Sequence, residues 1–183
     1  MKHMLLKAVA LGVTAIAMAA ASAQDIKERA FKFHLAGPEG NHPASPGMKK
    51  FAELVSQRSG GKMKVNLFFN SALGTDQAVV SSLKGGTVEL AVMNTGILAS
   101  EAKELAIFDF PFLFANEKES DAVVDGAIGK KMHALLEPKG IVGLAYWELG
   151  YRQITNSKRA LNKVEDIEGL KLRVILNQYY VAW

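Results

Sequence analysis

Two arginines in the C-terminal part of the chain carry the clearest binding chemistry. Arg152 follows a Gly-Tyr pair, and Arg173 lies within 170–175, a segment that alternates in hydrophobicity. A guanidinium presents a planar fork of N–H donors that fits a carboxylate with two parallel hydrogen bonds. The pattern alone favours arginines on a solvated surface and does not exclude a ligand role, so both interpretations stay open at this point.

Polar residues also follow the predicted elements in the first half of the chain. Asn94 comes directly after an apolar segment that ends at Met93, and Asp76 lies where a helix opens after a turn. In open α/β sheets, ligands bind at the carboxyl ends of the strands. The free N–H groups of a helix start attract anions, but Asp76 would oppose one, and we interpret it as the helix cap.

The sequence carries no signal for catalysis or metal binding. It has no cysteine, and of the histidines His34, His42 and His133 only His133 has a possible second ligand at i+3 or i+4, the single carboxylate of Glu137. The motifs H-E-x-x-H, G-x-S-x-G, the P-loop and G-x-G-x-x-G do not occur. We predict a protein that is not an enzyme and has no cofactor or metal, with His34 and His133 as packed or surface residues.

The first 23 residues have the three-part layout of a secretory signal peptide. Lys2 and Lys7 make the start basic, an Ala-rich apolar stretch follows, and Ala21-Ser22-Ala23 is a small-x-small cleavage site. The apolar stretch after Lys7 is shorter than the ~20 residues that a membrane anchor needs. This predicts a signal peptide over 1–23 and a periplasmic protein that begins at Gln24.

The charge of the processed chain excludes one class of partner. The whole sequence has 22 basic and 18 acidic residues, and the signal peptide removes Lys2 and Lys7, which leaves 22 − 2 = 20 basic residues and a net charge of +2. The basic residues are scattered, so we expect no nucleic acid partner. The remaining ~160 residues are enough to bury a core without disulfides.

Hydrophobic periodicity alternates between strand and helix along the chain. The predicted strands are 31–35, 62–69, 88–93, 141–147 and 170–175. The predicted helices start at Ser45-Pro46, Asp76, Asn116 (running to about 137) and Gln178. This order predicts an open α/β sheet with mainly parallel strands. Phe-rich 105–114, bent at Pro111, is predicted to pack into the core.

Five motifs in register resemble one family. They are Gly60-Gly61-Lys62, 70–74 (NSALG), 108–114 (FDFPFLF), 147–157 (WELGYRQITNS) and 166–174 (DIEGLKLRV). From about Phe31 to the last residue, the chain resembles the solute-binding proteins of TRAP transporters, the tripartite ATP-independent periplasmic family that includes the DctP-like four-carbon dicarboxylate binders.

The resemblance implies a two-lobed, periplasmic binding protein-like fold (type II-like) that closes over a small carboxylic acid. Residues 25–150 would form most of the first lobe, and 151–183 would begin a truncated second lobe. Such a fragment is expected to bind poorly by itself. The implied partners are the ligand and the small and large integral membrane proteins of a sodium-driven transporter, with the binding protein most simply a monomer.

The resemblance also implies roles for particular residues. Arg173 matches the arginine that pairs with the substrate carboxylate, and Arg152 matches a second arginine that assists it. Asn94 and Asp76 match positions of the first lobe that face the cleft. Two weaker matches complete the predicted site: Asn177 as a ligand contact, and Trp147, which either lines the pocket or packs.

Three alternatives remain open from the sequence. One is a binding protein with the same fold that serves an ABC transporter or a sensor kinase. Another is an enzyme on a similar two-lobed fold, which would need a catalytic set such as Ser82 with His133. The last is a non-functional truncated product.

Overall fold

A computed structural model describes residues 26–175 and 177–182 of the 183-residue chain. The predicted signal peptide, 1–23, lies outside the described residues, as do Leu176 and Trp183. Within the described part, no helix is long and apolar enough to cross a membrane.

The centre of the fold is a three-stranded parallel sheet. Its strands are β1 (Arg29–Leu35), β2 (Met63–Phe68) and β3 (Leu90–Val92), in the order β2-β1-β3. In the register, Phe33 of β1 lies opposite Leu67 of β2 and Leu90 of β3. The parallel order confirms the predicted α/β architecture, because parallel neighbours need crossover connections and both crossovers here contain a helix.

The central strand is buried on both faces towards its carboxyl end. Phe33 and Leu35 contact helix α1 (Ala44–Arg58), where Met48 is completely buried and Phe51 packs edge-to-face on Phe33 with the ring centroids 5.5 Å apart. His34, between them in the strand, points to the opposite face, because successive side chains of a strand alternate. That face is covered by α2 (Asp76–Lys84).

A second core forms beyond the sheet. It includes α2, the short helix α3 (Thr95–Leu98) and the 3-10 helix Lys103–Asp109. Its buried residues are Val80, Ile97, Ala102, Leu105, Leu136, Ile141, Ile175 and Tyr180. Ile175 and Tyr180 therefore pack with residues that precede position 150, and a lobe boundary at 150 stays a prediction.

Two predicted helices differ in their bounds. Helix α1 begins at Ala44 rather than after an N-cap at Ser45, whose hydroxyl donates to the Pro38 carbonyl at 3.1 Å. The predicted helix from 116 to about 137 is two helices, α4 (Glu117–Val124) and α5 (Ala127–Ala134). The break lies at Asp125-Gly126, where Asp125 is the C-cap of α4 and Gly126, with extended backbone, is the N-cap of α5. Gly129, in the first turn of α5, lets the two helices approach, since a Cβ there would lie 1.6 Å from the Val124 carbonyl oxygen.

Two predicted strands are absent from the described residues. The segments 141–147 and 170–175 are extended but pair with none of the three strands; Ile141 and Ile175 anchor them in the second core. Apolar alternation indicates an extended chain, whereas a strand also needs a neighbour for its hydrogen bonds. The last helix begins as predicted, with α6 spanning Gln178–Ala182.

The Phe-rich segment is only half buried. Leu105 and Ala106 lie in the core, as predicted, within the 3-10 helix. Phe110 is half exposed and Phe112 fully exposed, with Phe112 at a φ of 58°. The prediction that the whole segment packs into the core is therefore wrong after Asp109, because Pro111 turns the chain outward.

Candidate functional site

Asn94 lies two residues after the end of β3, directly before helix α3. It is the N-cap of that helix, and its Oδ1 accepts a hydrogen bond from the Gly96 N–H at 2.9 Å. Asn94 is half buried. The amide oxygen is thus used locally, as is usual for an Asn at an N-cap, and its nitrogen forms no hydrogen bond with a described residue.

Gly96, two residues on, is the point where three segments meet. A Cβ at Gly96 would lie 2.1 Å from Asp109 Oδ2 and 3.1 Å from Asn177 Nδ2. Asp109 ends the 3-10 helix, and Asn177 precedes α6. The glycine is required here because any side chain would occupy the space that Asp109 takes.

Asn177 is buried and uses both ends of its amide. Its Nδ2 donates to the Gly96 carbonyl at 3.3 Å, and its Oδ1 accepts from the Tyr179 N–H at 2.9 Å. These bonds attach the start of α6 to α3. Asn177 is therefore placed beside the predicted ligand residue Asn94, in a role that already satisfies its polar groups.

Arg152 is linked to Asp109 through the hydroxyl of Tyr180. Arg152 Nε donates to the Tyr180 hydroxyl at 2.9 Å, and that hydroxyl donates to Asp109 Oδ1 at 2.8 Å. The Arg152 guanidinium carbon also lies 5.4 Å from the centre of the Tyr180 ring. Tyr180 and Asp109 are both buried, whereas Arg152 is exposed.

Burial alters the acidity of the two buried members of this chain. Desolvation raises the pKa of Asp109, while the hydrogen bond from Tyr180 and the charge of Arg152 oppose that rise. Burial, followed by the bond to Asp109, raises the pKa of Tyr180 to about 12. Asp109 Oδ2 is buried and has no hydrogen-bond partner among the described residues.

Arg173 is exposed in the extended segment before α6. Its guanidinium forms no hydrogen bond or salt bridge with any residue of 26–175 or 177–182. Lys171 and Leu172 beside it are also exposed, whereas Ile175 anchors the segment in the core. The segment therefore presents Arg173 from a fixed point without pairing its charge internally.

Asp76, at the start of α2, faces His34 of β1. Its Oδ1 is 3.3 Å from Nε2 of His34, which is completely buried, while the Asp76 side chain keeps 22% of its exposure. The prediction that Asp76 caps the helix is wrong: Thr75 is the N-cap of α2 and accepts from the Ala78 N–H at 3.3 Å. The Asp76 carboxylate is thereby left for His34 and for solvent.

Trp147 contacts the first core. Its ring lies 6.3 Å from the Phe33 ring, edge-to-face, and a Cβ at Gly47 would lie 3.2 Å from the nearest ring atom of Trp147. Since 38% of the residue is exposed, one part packs on β1 and α1 and another part faces solvent. Of the two roles that the sequence left open for Trp147, these contacts favour packing.

The structure thus brings three of the six predicted residues into one cluster. The cluster consists of Asn94, Asn177 and Arg152, which are connected through Gly96, Asp109 and Tyr180. Asp76 and Trp147 have other neighbours. Arg173 has no partner in the described chain. Sequence reasoning missed Asp109 and Tyr180. The signal at Asp109 was a single carboxylate inside an apolar run, because such a group needs a partner when it is buried.

The fold is a parallel α/β sheet, and the two arginines that follow it form no salt bridge with a described carboxylate. The family model described as "Bacterial extracellular solute-binding protein, family 7" (DctP) matches residues 36–183. The chain belongs to this family. The prediction of a TRAP-type solute-binding protein, in a class of binding proteins and not of enzymes, is confirmed at the level of the family.

The similar proteins are solute-binding proteins. The chain is 33% identical over 162 residues to the 2,3-diketo-L-gulonate-binding periplasmic protein YiaO of Escherichia coli K12, which covers 88% of the chain and 48% of that protein. The crystal structure of the sugar acid binding protein DctPAm from Advenella mimigardefordensis, in complex with galactonate, matches with a TM-score of 0.83 and 45% identity over 86% of the chain and 51% of that structure.

A further similar structure contains a dicarboxylate. It is a TRAP periplasmic solute-binding protein from Sulfurospirillum deleyianum with bound succinate, at a TM-score of 0.80 and 29% identity, over 86% of the chain and 50% of that structure. The chain thus spans about half the length of the relatives that it matches.

Proposed function

We propose that this chain belongs to a periplasmic protein that captures a small organic acid and delivers it to a TRAP transporter. The observation that carries the proposal is the state of the two arginines. Neither Arg152 nor Arg173 forms a salt bridge with a described carboxylate, and both are exposed. Two exposed guanidinium groups that no carboxylate of the described residues neutralises are suited to bind an external carboxylate.

In this proposal Arg173 binds the ligand carboxylate and Arg152 assists it. Asn94 contributes its free amide nitrogen, and Asn177 acts mainly by holding α6 against α3. Trp147 supports the first core by packing against Phe33. Closure of two lobes over the ligand would be a population shift, since the ligand contacts both sides only in the closed state.

With Asp76 facing the cleft, as the family resemblance implies, the pair His34–Asp76 would suit a ligand that is rich in hydroxyl groups at its other end. A carboxylate that His34 holds in place accepts hydrogen bonds from hydroxyls but repels a second carboxylate. Galactonate, the ligand named for the similar structure from Advenella, has this chemistry: one carboxylate and several hydroxyls. We therefore infer a polyhydroxylated monocarboxylate as the ligand class.

A four-carbon dicarboxylate is the second candidate. It is favoured by the similar structure that contains succinate. In that case Asp76 would lie away from the ligand's second carboxylate, and the two arginines would bind one carboxylate each or share both.

Calorimetry with a small panel of ligands tests the function and separates these candidates. The protein is expressed from its whole reading frame and titrated with galactonate, succinate and the uncharged sugar galactose. We expect binding of galactonate and no binding of galactose, because the sugar lacks the charge that the arginines recognise. Preference for succinate would select the second candidate, and binding of neither acid would refute the proposal.

Export and delivery are the remaining parts of the proposal. Export is supported by the predicted signal peptide over 1–23, and is tested by the N-terminus of the protein recovered from periplasmic extract, which should be Gln24. Delivery to a small and a large membrane subunit, driven by sodium, is proposed from the resemblance to TRAP solute-binding proteins. Uptake that persists after the sodium gradient is collapsed would contradict that part.

A further inference from the structure

Arg152 is held by only one of its three nitrogens. Its Nε donates to Tyr180, while Nη1 and Nη2 form no hydrogen bond with residues of the described chain. We propose that Tyr180 and Asp109 are positioning residues, which hold the Arg152 guanidinium by its Nε so that the Nη edge stays open for the ligand carboxylate. The ligand in this inference rests on the proposed function; the positioning itself does not.

The donor and acceptor groups of Arg152, Tyr180 and Asp109 determine the direction of the two hydrogen bonds between them. A guanidinium has only donors, so the Tyr180 oxygen must accept from Arg152 Nε. The phenolic proton is then donated to Asp109 Oδ1, which is an acceptor. A carboxylate at the far end therefore orients the hydroxyl, and the hydroxyl orients the arginine. Removal of the Tyr180 hydroxyl breaks both hydrogen bonds, and removal of the Asp109 carboxylate leaves the hydroxyl without the acceptor that orients it.

The Tyr180 hydroxyl, which lies between Arg152 and Asp109, also explains why Asp109 does not occupy the Arg152 guanidinium in place of a ligand. A direct pair between Asp109 and Arg152 would be bidentate and would occupy the fork that recognises a carboxylate. Here a neutral hydroxyl lies between the two charges and takes up only Nε. The two charges still attract each other at longer range, and the charge of Arg152 acts to lower the pKa of Asp109.

The two proposed positioning residues lie on firm supports, whereas Arg152 does not. Tyr180 packs in the second core with Ile97 and Leu105, and Asp109 is wedged against Gly96. Arg152 is an exposed residue in an extended segment without a strand partner among the described residues. Holding such a long side chain in advance reduces the entropy lost when a ligand binds.

The three residues are far apart in sequence: Arg152 and Asp109 are 28 and 71 positions from Tyr180. They join the predicted first-lobe segment to two parts of the predicted second-lobe segment. The orientation of Arg152 is therefore set by the packing of α6 on the 3-10 helix, and a change in that packing would be transmitted to the arginine.

The first arm of the test examines Arg152 without any ligand. Nitrogen-15 spectra of arginine side chains give the rate at which each Nε–H exchanges with water, with Arg152→Lys identifying the signal. We expect Tyr180→Phe to speed exchange at Arg152 by about fivefold to tenfold, the value of one hydrogen bond. Arg159, whose Nε donates to the Asp166 carbonyl at 2.9 Å, is the internal control and should not change.

The second arm measures affinity for galactonate in the protein expressed from its whole reading frame. Tyr180→Phe keeps the ring and is expected to weaken binding by about tenfold. Tyr179→Phe is the matched control, since its hydroxyl forms no hydrogen bond with a described residue, and it should bind like the wild type. Asp109→Asn keeps an acceptor for the tyrosine and should recover most of the affinity that Asp109→Leu loses.

The outcomes separate this inference from the proposed function. Unchanged exchange at Arg152 in Tyr180→Phe overturns the positioning, as does galactonate affinity equal in Tyr180→Phe and Tyr179→Phe. If the wild type binds neither galactonate nor succinate, the proposed function fails. The exchange rates then decide alone whether Tyr180 and Asp109 hold Arg152.

Discussion

Gly96 and Asp109 are in direct contact, such that a Cβ on Gly96 would lie 2.1 Å from Asp109 Oδ2. The contact joins α3, which Asn94 caps, to the 3-10 helix that carries Asp109. The same carboxyl group holds Tyr180 and, through it, Arg152. The small size of Gly96 thus helps to set the position of Arg152, a predicted ligand residue 56 positions further along the chain.

Gly96→Ala should therefore destabilise the protein. The new methyl group would displace Asp109, and overpacking of this kind costs roughly 1–3 kcal/mol. Urea unfolding measures the loss. Gly40→Ala is the control, because no atom lies within 4 Å of a Cβ there, and it should change the free energy of unfolding by less than about 0.5 kcal/mol.

A double-mutant cycle checks that Asp109 is the cause. In an Asp109→Ala background the clash disappears, so that the cost of Gly96→Ala should fall to a fraction of its value in the wild type. Equal costs in both backgrounds would show that the glycine is needed for another reason.

The buried imidazole of His34 gives a second prediction. His34 is completely buried between the sheet and α2, and its Nδ1 has no partner among the described residues. His34→Ala should leave a cavity and lower the free energy of unfolding by roughly 2–4 kcal/mol. Asp76→Asn, which keeps an oxygen acceptor at the partly exposed end, should cost about 1 kcal/mol or less. Comparable losses in the two variants, measured by urea unfolding, would contradict this assignment.

The sheet was predictable from the sequence because its strands carry their own signals. The apolar alternation of β1 and β2 and the apolar run at β3 each specify an extended, buried segment. The apolar run at 141–147 and the alternation at 170–175 predicted strands that the described residues do not form. Periodicity reports that a segment is extended; whether it pairs depends on a neighbour that the segment does not encode.

The arginines of the candidate site were predictable from the sequence, but the residues that hold Arg152 in place were not. Arg152 and Arg173 stood out by residue type and by a family motif, and their roles as ligand residues stay predictions. Tyr180 and Asp109 could not be paired from sequence, because the contact spans 71 positions and depends on how α6 packs on the 3-10 helix. Long-range side-chain contacts of this kind follow from the tertiary fold and leave no local period.

The hydroxyl of Tyr180 predicts how stability depends on alkaline pH. The pKa of Tyr180 is raised from 10.0 to about 12 in the folded state, mainly by burial and then by the bond to Asp109. Above pH 10 the unfolded chain loses this proton before the folded chain does. The folded protein therefore loses stability as the pH rises from 10 towards 12, and the contribution is complete only below pH 10.

Urea unfolding of the wild type and Tyr180→Phe at pH 9 and pH 11 measures this effect. The advantage of the wild type should be larger at pH 9 than at pH 11. Tyr146, whose pKa burial also raises to about 12, serves as a second case: Tyr146→Phe should show the same trend. A difference between wild type and variant that is constant with pH would contradict the prediction.

Arg173 provides the most direct test of ligand capture. Its guanidinium has no partner in the described chain, so Arg173→Ala should leave the free energy of unfolding within about 0.5 kcal/mol of the wild type. In the protein expressed from its whole reading frame, the same change should weaken galactonate binding by on the order of 100-fold, because it removes one side of a charge-assisted pair. Arg173→Lys should recover only part of the affinity, since an ammonium cannot form the bidentate contact.

Lys171→Ala, two residues away and also exposed, is the control for net charge and should have little effect in calorimetry. If Lys171→Ala weakened binding as much as Arg173→Ala did, the arginine would act through the general positive field of the segment and not as the carboxylate ligand.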